Sequence, residues 1–378
     1  MSLRPLIDSR RIILCVGSGG VGKTTTAAAL GLAAAAAGKR TLCLTIDPAR
    51  RLAESLGLPE VMTEAQLIDP KRFRDAGFAV RGSLSVMMLD TKTTFDELIA
   101  RHASSPDVRD RILRNKLYRH ISTSLAGTQE YMAMERLYVL RDDPRWDLII
   151  VDTPPTANAL DFLDAPERMI DALDSAVLRW LMTAFQSSGK LSFNFLARGA
   201  AAALRGMARL TGQGFLEALA ELVVLINEMF GGFRTRADQV RRALRGKEVA
   251  YVLVTSPDPM SIREILYFAD RLREQQMPRD AVVVNRIRPA RRGRPSQAAV
   301  RSALARRGLA LPAGAEERAL QAFDEEARLG ELDRKHLGAL ASFGAAERAI
   351  RVEVPAFAGD VHDIRALARV AAVLAPAG

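Results

Sequence analysis

Cysteine is nearly absent from this chain of 378 residues: there are two, Cys15 and Cys43. Both lie in apolar runs and no C-x-x-C pair occurs, which argues against a structural zinc site and against a disulfide framework. Histidine is also scarce. The four, at 102, 120, 336 and 362, include no pair with metal-ligand spacing and are assigned no role. No apolar run approaches the roughly 20 residues of a membrane span. The most uniform one, Ala27 to Ala37, is short and reads instead as the helix that follows a glycine-rich loop. The N-terminus, Met1-Ser2-Leu3-Arg4-Pro5, does not resemble a signal peptide. A soluble, cytoplasmic protein is expected. Aromatic residues are few, and none is interleaved with the arginine cluster Arg286, Arg288, Arg291, Arg292 and Arg294. That cluster therefore reads as a solvated loop, and nucleic acid is not an expected partner. The formal charge of +10 reads in the same way, as a solvated arginine-rich surface.

The chain is rich in glycine at one place. Gly17-Ser18-Gly19-Gly20-Val21-Gly22-Lys23-Thr24 is a complete P-loop, G-x-x-x-x-G-K-T, followed by Thr25. The apolar run Ile12 to Val16 precedes it and the helix-forming run Ala27 to Ala33 follows it. Strand, glycine loop and helix form the context the motif requires. The loop's backbone amides, at Gly19, Gly20, Val21, Gly22, Lys23, Thr24 and Thr25, would wrap phosphate groups, with the helix's positive end behind them. Lys23 would reach the β- and γ-phosphates, and the Thr24 hydroxyl would ligate Mg²⁺.

Apolar residues make up 48% of the chain, enough for a large α/β domain carrying a sizeable insertion. Short buried-strand runs recur at residues 41–46, 84–90, 147–152, 249–254, 281–285 and 351–355, separated by helical stretches. This pattern predicts a mostly parallel sheet covered by helices on both faces. The middle of the chain has little β signal. The pattern predicts a core from residues 1–90, 143–165 and 246–378, and an all-helical insertion from 91–142 and 166–245. Two apolar series mark that insertion, Met169 to Phe185 and Phe215 to Phe233. They read either as an ordinary subdomain core or as a groove for an apolar helix.

Two carboxylates complete the candidate site. Asp152 closes an apolar strand, the Walker B arrangement, and would hold Mg²⁺ directly or through water. Asp47 follows the strand at 41–46, which a usual P-loop sheet places beside the P-loop strand. A carboxylate there can orient or deprotonate an attacking water; an Asp before Pro48 can also simply cap a helix.

Together, Gly17–Thr25, Asp47-Pro48-Ala49 and Asp152-Thr153-Pro154-Pro155-Thr156 resemble the ArsA family of P-loop ATPases. That family holds arsenite-pump ATPases and ATPases that target tail-anchored membrane proteins, and belongs to the deviant Walker A class. The stretch from Ala157 to Pro166 is similar to a bacterial subgroup. The resemblance covers nearly the whole chain. It implies an Mg-ATP-dependent ATPase that works as a dimeric switch, with Asp47 in switch I and Asp152 opening switch II. It implies that Asn285 reads the adenine, that Pro355 and Phe357 pack on the base, and that Asp258 is an acidic nucleotide-site residue. The implied partners are ATP and ADP, a second copy or a paralogous ATPase, and a hydrophobic helix client or membrane protein.

Two departures bear on that expectation. The family's signature lysine, one residue after the first P-loop glycine, is here Ser18. Serine cannot offer a cation across a dimer, and such a cation is worth orders of magnitude in rate. With only Cys15 and Cys43, the cysteine clusters that bind zinc or arsenite in relatives are also missing. Two functions follow: an ATPase acting on a hydrophobic client or membrane partner, or a weakly hydrolysing subunit that pairs with a lysine-bearing paralogue.

Overall fold

A run such as Ile12-Ile13-Leu14-Cys15-Val16 has no polar side chain to turn toward water, so it must be covered on both faces. The computed structural model places it in strand β1 (Ile12–Val16). It is followed by β2 (Arg40–Thr45), β3 (Gln66–Leu67), β4 (Ser83–Met88), β5 (Leu148–Asp152), β6 (Val249–Thr255), β7 (Ala281–Ile287) and β8 (Ile350–Pro355). The structure describes residues 1–46, 51–58, 62–124, 128–154, 230–291, 293–306, 314–341 and 349–376, with scattered positions at 164, 165, 167, 168, 171, 218, 221, 222, 225, 312 and 343. The strands form one sheet in the order β3-β4-β2-β5-β1-β6-β7-β8. β1 pairs in parallel with β5 and β6, β2 with β5, β6 with β7, and β7 with β8. The fold is therefore the α/β class that the apolar runs predict.

Two details differ from the sequence reading. The strand ending before Asp47 does not lie beside the P-loop strand: β5 stands between them, with Thr41–Thr45 in register with Leu148–Asp152. A strand's own hydrophobicity does not encode which neighbour it takes. The short β3, antiparallel to β4, is also new. Its two residues are exposed, so no apolar signal marks it.

The chain divides into two compact units. The first comprises Met1–Met87, Arg145–Ala157 and Lys247–Gly378; the second comprises Met88–Pro144 and Asn158–Gly246. In the first unit the described helices are α1 (Arg4–Ser9), α2 (Lys23–Ala36), α3 (Arg51–Ser55) and α4 (Pro70–Asp75). In the second they are α5 (Thr91–His102), α6 (Pro106–Arg114), α7 (Lys116–Ser124), α8 (Thr128–Arg141) and α9 (Phe230–Leu244). The first unit resumes with α10 (Pro259–Glu274), α11 (Gln297–Ala305), α12 (Ala315–Leu337) and α13 (Ile364–Leu374).

Beyond its first turn, from Ala27 to Ala35, helix α2 is apolar all round because it is buried all round. Its alanines let it lie close to the sheet, and a Cβ at Gly31 would run into the Cys43 sulfur. Cys15 and Cys43 are buried free thiols. Burial, with the Asp152 carboxylate adding to it, pushes both thiols well above their ordinary titration range, so they behave as small hydrophobes.

In the second unit, Asp90 and Ser105 cap α5 and α6 by accepting from the Thr93 and Val108 amides. Glu135, buried on α8, receives a fork of hydrogen bonds from Arg236 at 2.7–3.0 Å. Most of the two apolar series that mark the predicted insertion lies outside the described residues; Leu222 and Leu225 are described and buried. Among the described residues, no helix is long and apolar enough to cross a membrane.

Candidate functional site

Because β1, β5, β6, β7, β8 and β2 run the same way, their C-terminal ends gather at one edge of the sheet, where open α/β sheets bind ligands. The P-loop leaves β1 at that edge. Its glycines are needed individually. A Cβ at Gly17 would strike the Val254 carbonyl on β6, and Gly20 and Gly22 hold φ of 78° and 96°. Gly22 is the N-cap of α2 and offers no side chain to the helix's first amides. An anion seated there would satisfy them. Val21 turns its side chain into the core.

Lys23 is 7% exposed, and its ammonium donates to the Ser18 carbonyl at 2.8 Å. The loop thus holds the cation folded over itself. Thr24 Oγ1 donates to Asp152 Oδ2 at 2.8 Å, and Thr45 donates to the same oxygen at 3.3 Å. Asp152 is buried and stands opposite Cys15 in the register of β5 with β1, next to the P-loop. A hydroxyl and a carboxylate in contact are hard oxygen donors, the kind Mg²⁺ selects. Thr153, the next residue, turns inward and donates to the Cys15 carbonyl at 2.8 Å.

Two cavities adjoin this loop. The first, about 310 Å³, is lined by P-loop residues Gly20, Gly22, Lys23, Thr24 and Thr25, with Glu54 and Ser55 of α3 and His362 beyond β8. The second, about 440 Å³, is lined by Asn285, Pro355, Ala356 and Phe357, with the turn from Gly359 to Val361. Thr25, Arg286 and Val361 border both. The guanidinium of Arg369 on α13 lies 5.2 Å from the centre of the Phe357 ring. Asn285 Nδ2 donates to the Val21 carbonyl at 2.9 Å, and Asn285 Oδ1 accepts from the Arg286 amide at 3.0 Å. Each group of that amide retains a second hydrogen-bonding position.

The edge therefore brings together Gly20, Gly22, Lys23, Thr24, Thr25, Asn285, Pro355 and Phe357, with Asp152 behind Thr24. Gly19 lines neither cavity. Asp258 does not join them either: its carboxylate caps α10 by accepting from the Ser261 amide at 2.9 Å. Asp47 lies outside the described residues. By sequence Arg286 and Arg288 belong to a solvated arginine cluster; both keep contact with solvent, Arg286 as an exposed residue of β7 and Arg288 partly buried, but each also has a partner. Arg286 Nη1 donates to the Gly20 carbonyl at 3.1 Å, and Arg288 pairs with the buried Asp333 at 2.9 Å. Glu54, Ser55, Val361 and His362 also line the site without any motif to mark them, because no sequence pattern encodes which loops meet at a sheet edge.

The sequence matches the anion-transporting ATPase (ArsA) family over residues 10–304. It is 27% identical to the "ATPase get3" of Aspergillus terreus over 232 residues, 61% of this chain and 63% of that protein. It is 26% identical to the "ATPase ARSA1" of Chlamydomonas reinhardtii over 298 residues, 74% of this chain and 35% of that protein. It is also 26% identical to the "ATPase ASNA1 homolog 1" of Paramecium tetraurelia over 292 residues, 76% of this chain and 78% of that protein. The chain spans less than two thirds of the length of the first two of these relatives. With the match covering well over half of its length and the P-loop edge in place, the chain belongs to the anion-transporting ATPase family.

Proposed function

We propose that the chain binds Mg-ATP at this sheet edge, hydrolyses it, and uses the cycle as a conformational switch between paired subunits. The observation that carries this reading is the joint placement of Lys23, Thr24 and Asp152 beside a second cavity bordered by Asn285 and Phe357. Lys23 would exchange its Ser18 carbonyl for phosphate oxygens. Mg²⁺, held by Thr24 and Asp152, would neutralise charge on the transferring phosphoryl group. The α2 amides bind and orient the phosphates, Asn285 reads the base edge, and Pro355 and Phe357 pack on its face. Asp47 orients or deprotonates the attacking water. The output is the handling of a hydrophobic client or a membrane partner, as the family resemblance implies.

A second reading is a nucleotide-binding subunit that hydrolyses weakly alone and pairs with a lysine-bearing paralogue. Ser18 favours it: its side chain is buried in the loop, 6% exposed, and carries no charge to offer a partner. Calorimetric titration with Mg-ATP and steady-state phosphate release, for wild type and Lys23→Ala, test the nucleotide site that both readings share. The wild type is expected to bind, and the variant to lose binding by at least about a hundredfold, because the triphosphate loses its main cationic contact. Equal binding by the two proteins would remove the P-loop from the function.

A further inference from the structure

Arg286 has a backbone conformation that costs free energy. Its φ is +60°, a region that side chains other than glycine and asparagine rarely adopt. The cause is a bulge in β7. Val284 pairs with Glu353 and Ile287 with Pro355, so two residues of β7, Asn285 and Arg286, face one residue of β8. Bulges of this kind re-aim side chains beside functional sites. Here Asn285 is brought to the Val21 carbonyl and Arg286 to the neighbouring Gly20 carbonyl. Strand β7 thus grips two consecutive peptide units of the P-loop. A glycine would fit the φ of Arg286 without strain, so what the arginine adds lies in its side chain. That side chain is on the boundary of both cavities, the one against Lys23 and Thr24 and the one against Asn285 and Phe357.

We infer that Arg286 is a nucleotide-binding residue, fixing the P-loop at Gly20 and forming the wall at which the phosphate and base compartments meet. The inference rests on the Mg-ATP reading above and adds to it a cation supplied in cis from β7. A planar guanidinium suits this place. It donates to a carbonyl through one nitrogen while keeping other N–H groups and a flat face for a ligand. A nucleotide with a base in one cavity and phosphates in the other must pass Arg286, whereas a bare triphosphate need not fill the second cavity. Arg286 therefore contributes more to the binding of ATP than to that of inorganic triphosphate.

The test is calorimetric titration of wild type, Arg286→Gly, Arg286→Ala and Arg286→Lys with Mg-ATP and with Mg-tripolyphosphate, alongside melting of each nucleotide-free protein. Arg286→Gly and Arg286→Ala are expected to weaken Mg-ATP by about ten- to a hundredfold, the range for losing hydrogen bonds from a charged donor. Tripolyphosphate should weaken by clearly less. Nucleotide-free Arg286→Gly should melt close to wild type, because relief of the backbone conformation offsets the lost bond to Gly20, so that a loss of Mg-ATP affinity in this variant is not a loss of fold. Arg286→Lys keeps the cation and a donor for Gly20 but loses the flat face, so it should recover tripolyphosphate binding more fully than ATP binding. Equal losses for the two ligands, or unchanged Mg-ATP affinity, would overturn the inference. Failure of the wild type itself to bind Mg-ATP would instead strike the nucleotide reading on which it rests.

Discussion

Gly22→Ala tests the geometry of the P-loop from inside the protein, without any ligand. Two separate costs meet at this residue. Its φ of 96° lies where an L side chain is strained, and a Cβ there would run into Asn285 Nδ2. The strained backbone is worth about 1–2 kcal/mol for a non-glycine residue. Pushing Asn285 aside breaks its 2.9 Å bond to the Val21 carbonyl, worth about 1 kcal/mol. Gly22→Ala should therefore destabilise the first unit by about 2–3 kcal/mol, a shift in urea midpoint on the order of 1 M. The chain has two tryptophans, Trp146 and Trp180. A Trp180→Phe background leaves Trp146, which precedes β5, as the reporter. The decisive comparison is a double-mutant cycle with Asn285→Ala. Once the amide is gone, the added methyl meets nothing there, and Gly22→Ala should cost only its backbone part. The two substitutions should thus fall short of additivity by about 1 kcal/mol. Additivity within about 0.5 kcal/mol would show that Asn285 does not lie against Gly22, and the splint between β7 and the P-loop would have to be abandoned.

Asp47→Asn should leave Mg-ATP affinity nearly unchanged and stall phosphate release, because only the activation of water is lost; wild-type turnover in this variant would remove Asp47 from the chemistry. The isolated chain should hydrolyse slowly, and mixing it with a paralogue bearing lysine at the Ser18 position should raise turnover; brisk turnover alone, unaffected by mixing or by Ser18→Lys, would sink the subunit reading. At the opposite edge of the sheet, Arg40 holds the Asp147 carboxyl at about 2, below its ordinary 3.8, through hydrogen bonds from both its side chain and its backbone amide. A carboxyl lowered on folding stabilises above its unfolded value and loses that contribution as pH falls from about 4 to 2. Arg40 is half exposed, so the effect should stay below about 1 kcal/mol and shrink in salt. Urea midpoints at pH 4, 3 and 2 should fall more for wild type than for Arg40→Met; parallel curves would contradict the pairing.

The parts of the fold that could be read in advance are those where one local pattern has one structural answer. Buried parallel strands admit few polar residues, so the runs beginning at Ile12, Leu148 and Val249 announce themselves. The P-loop is equally legible, because its glycines answer local needs: Gly17 makes room for the Val254 carbonyl, while Gly20 and Gly22 take positive φ. Strand order is another matter. The insertion of β5 between β1 and β2 depends on how crossovers are routed, and no residue of β2 records it.

Arg286 shows the same limit in the site itself. In sequence it is the first of five closely spaced arginines, and composition gives it no more meaning than Arg291 or Arg294. The structure separates them by pairing. Arg294 meets Asp324, Arg291 lies over the Phe323 ring, and Arg288 is committed to Asp333. Arg286 alone of these four is turned to the P-loop, by a one-residue bulge that exists only once β7 and β8 are paired. The side chain's direction is thus set by a register across two strands about seventy residues apart, which no window along the chain contains. A residue whose role depends on such a register is best found from its backbone. A non-glycine φ of +60° beside a phosphate-binding loop persists only where surrounding contacts offset its cost, and the Gly20 carbonyl is one of those contacts.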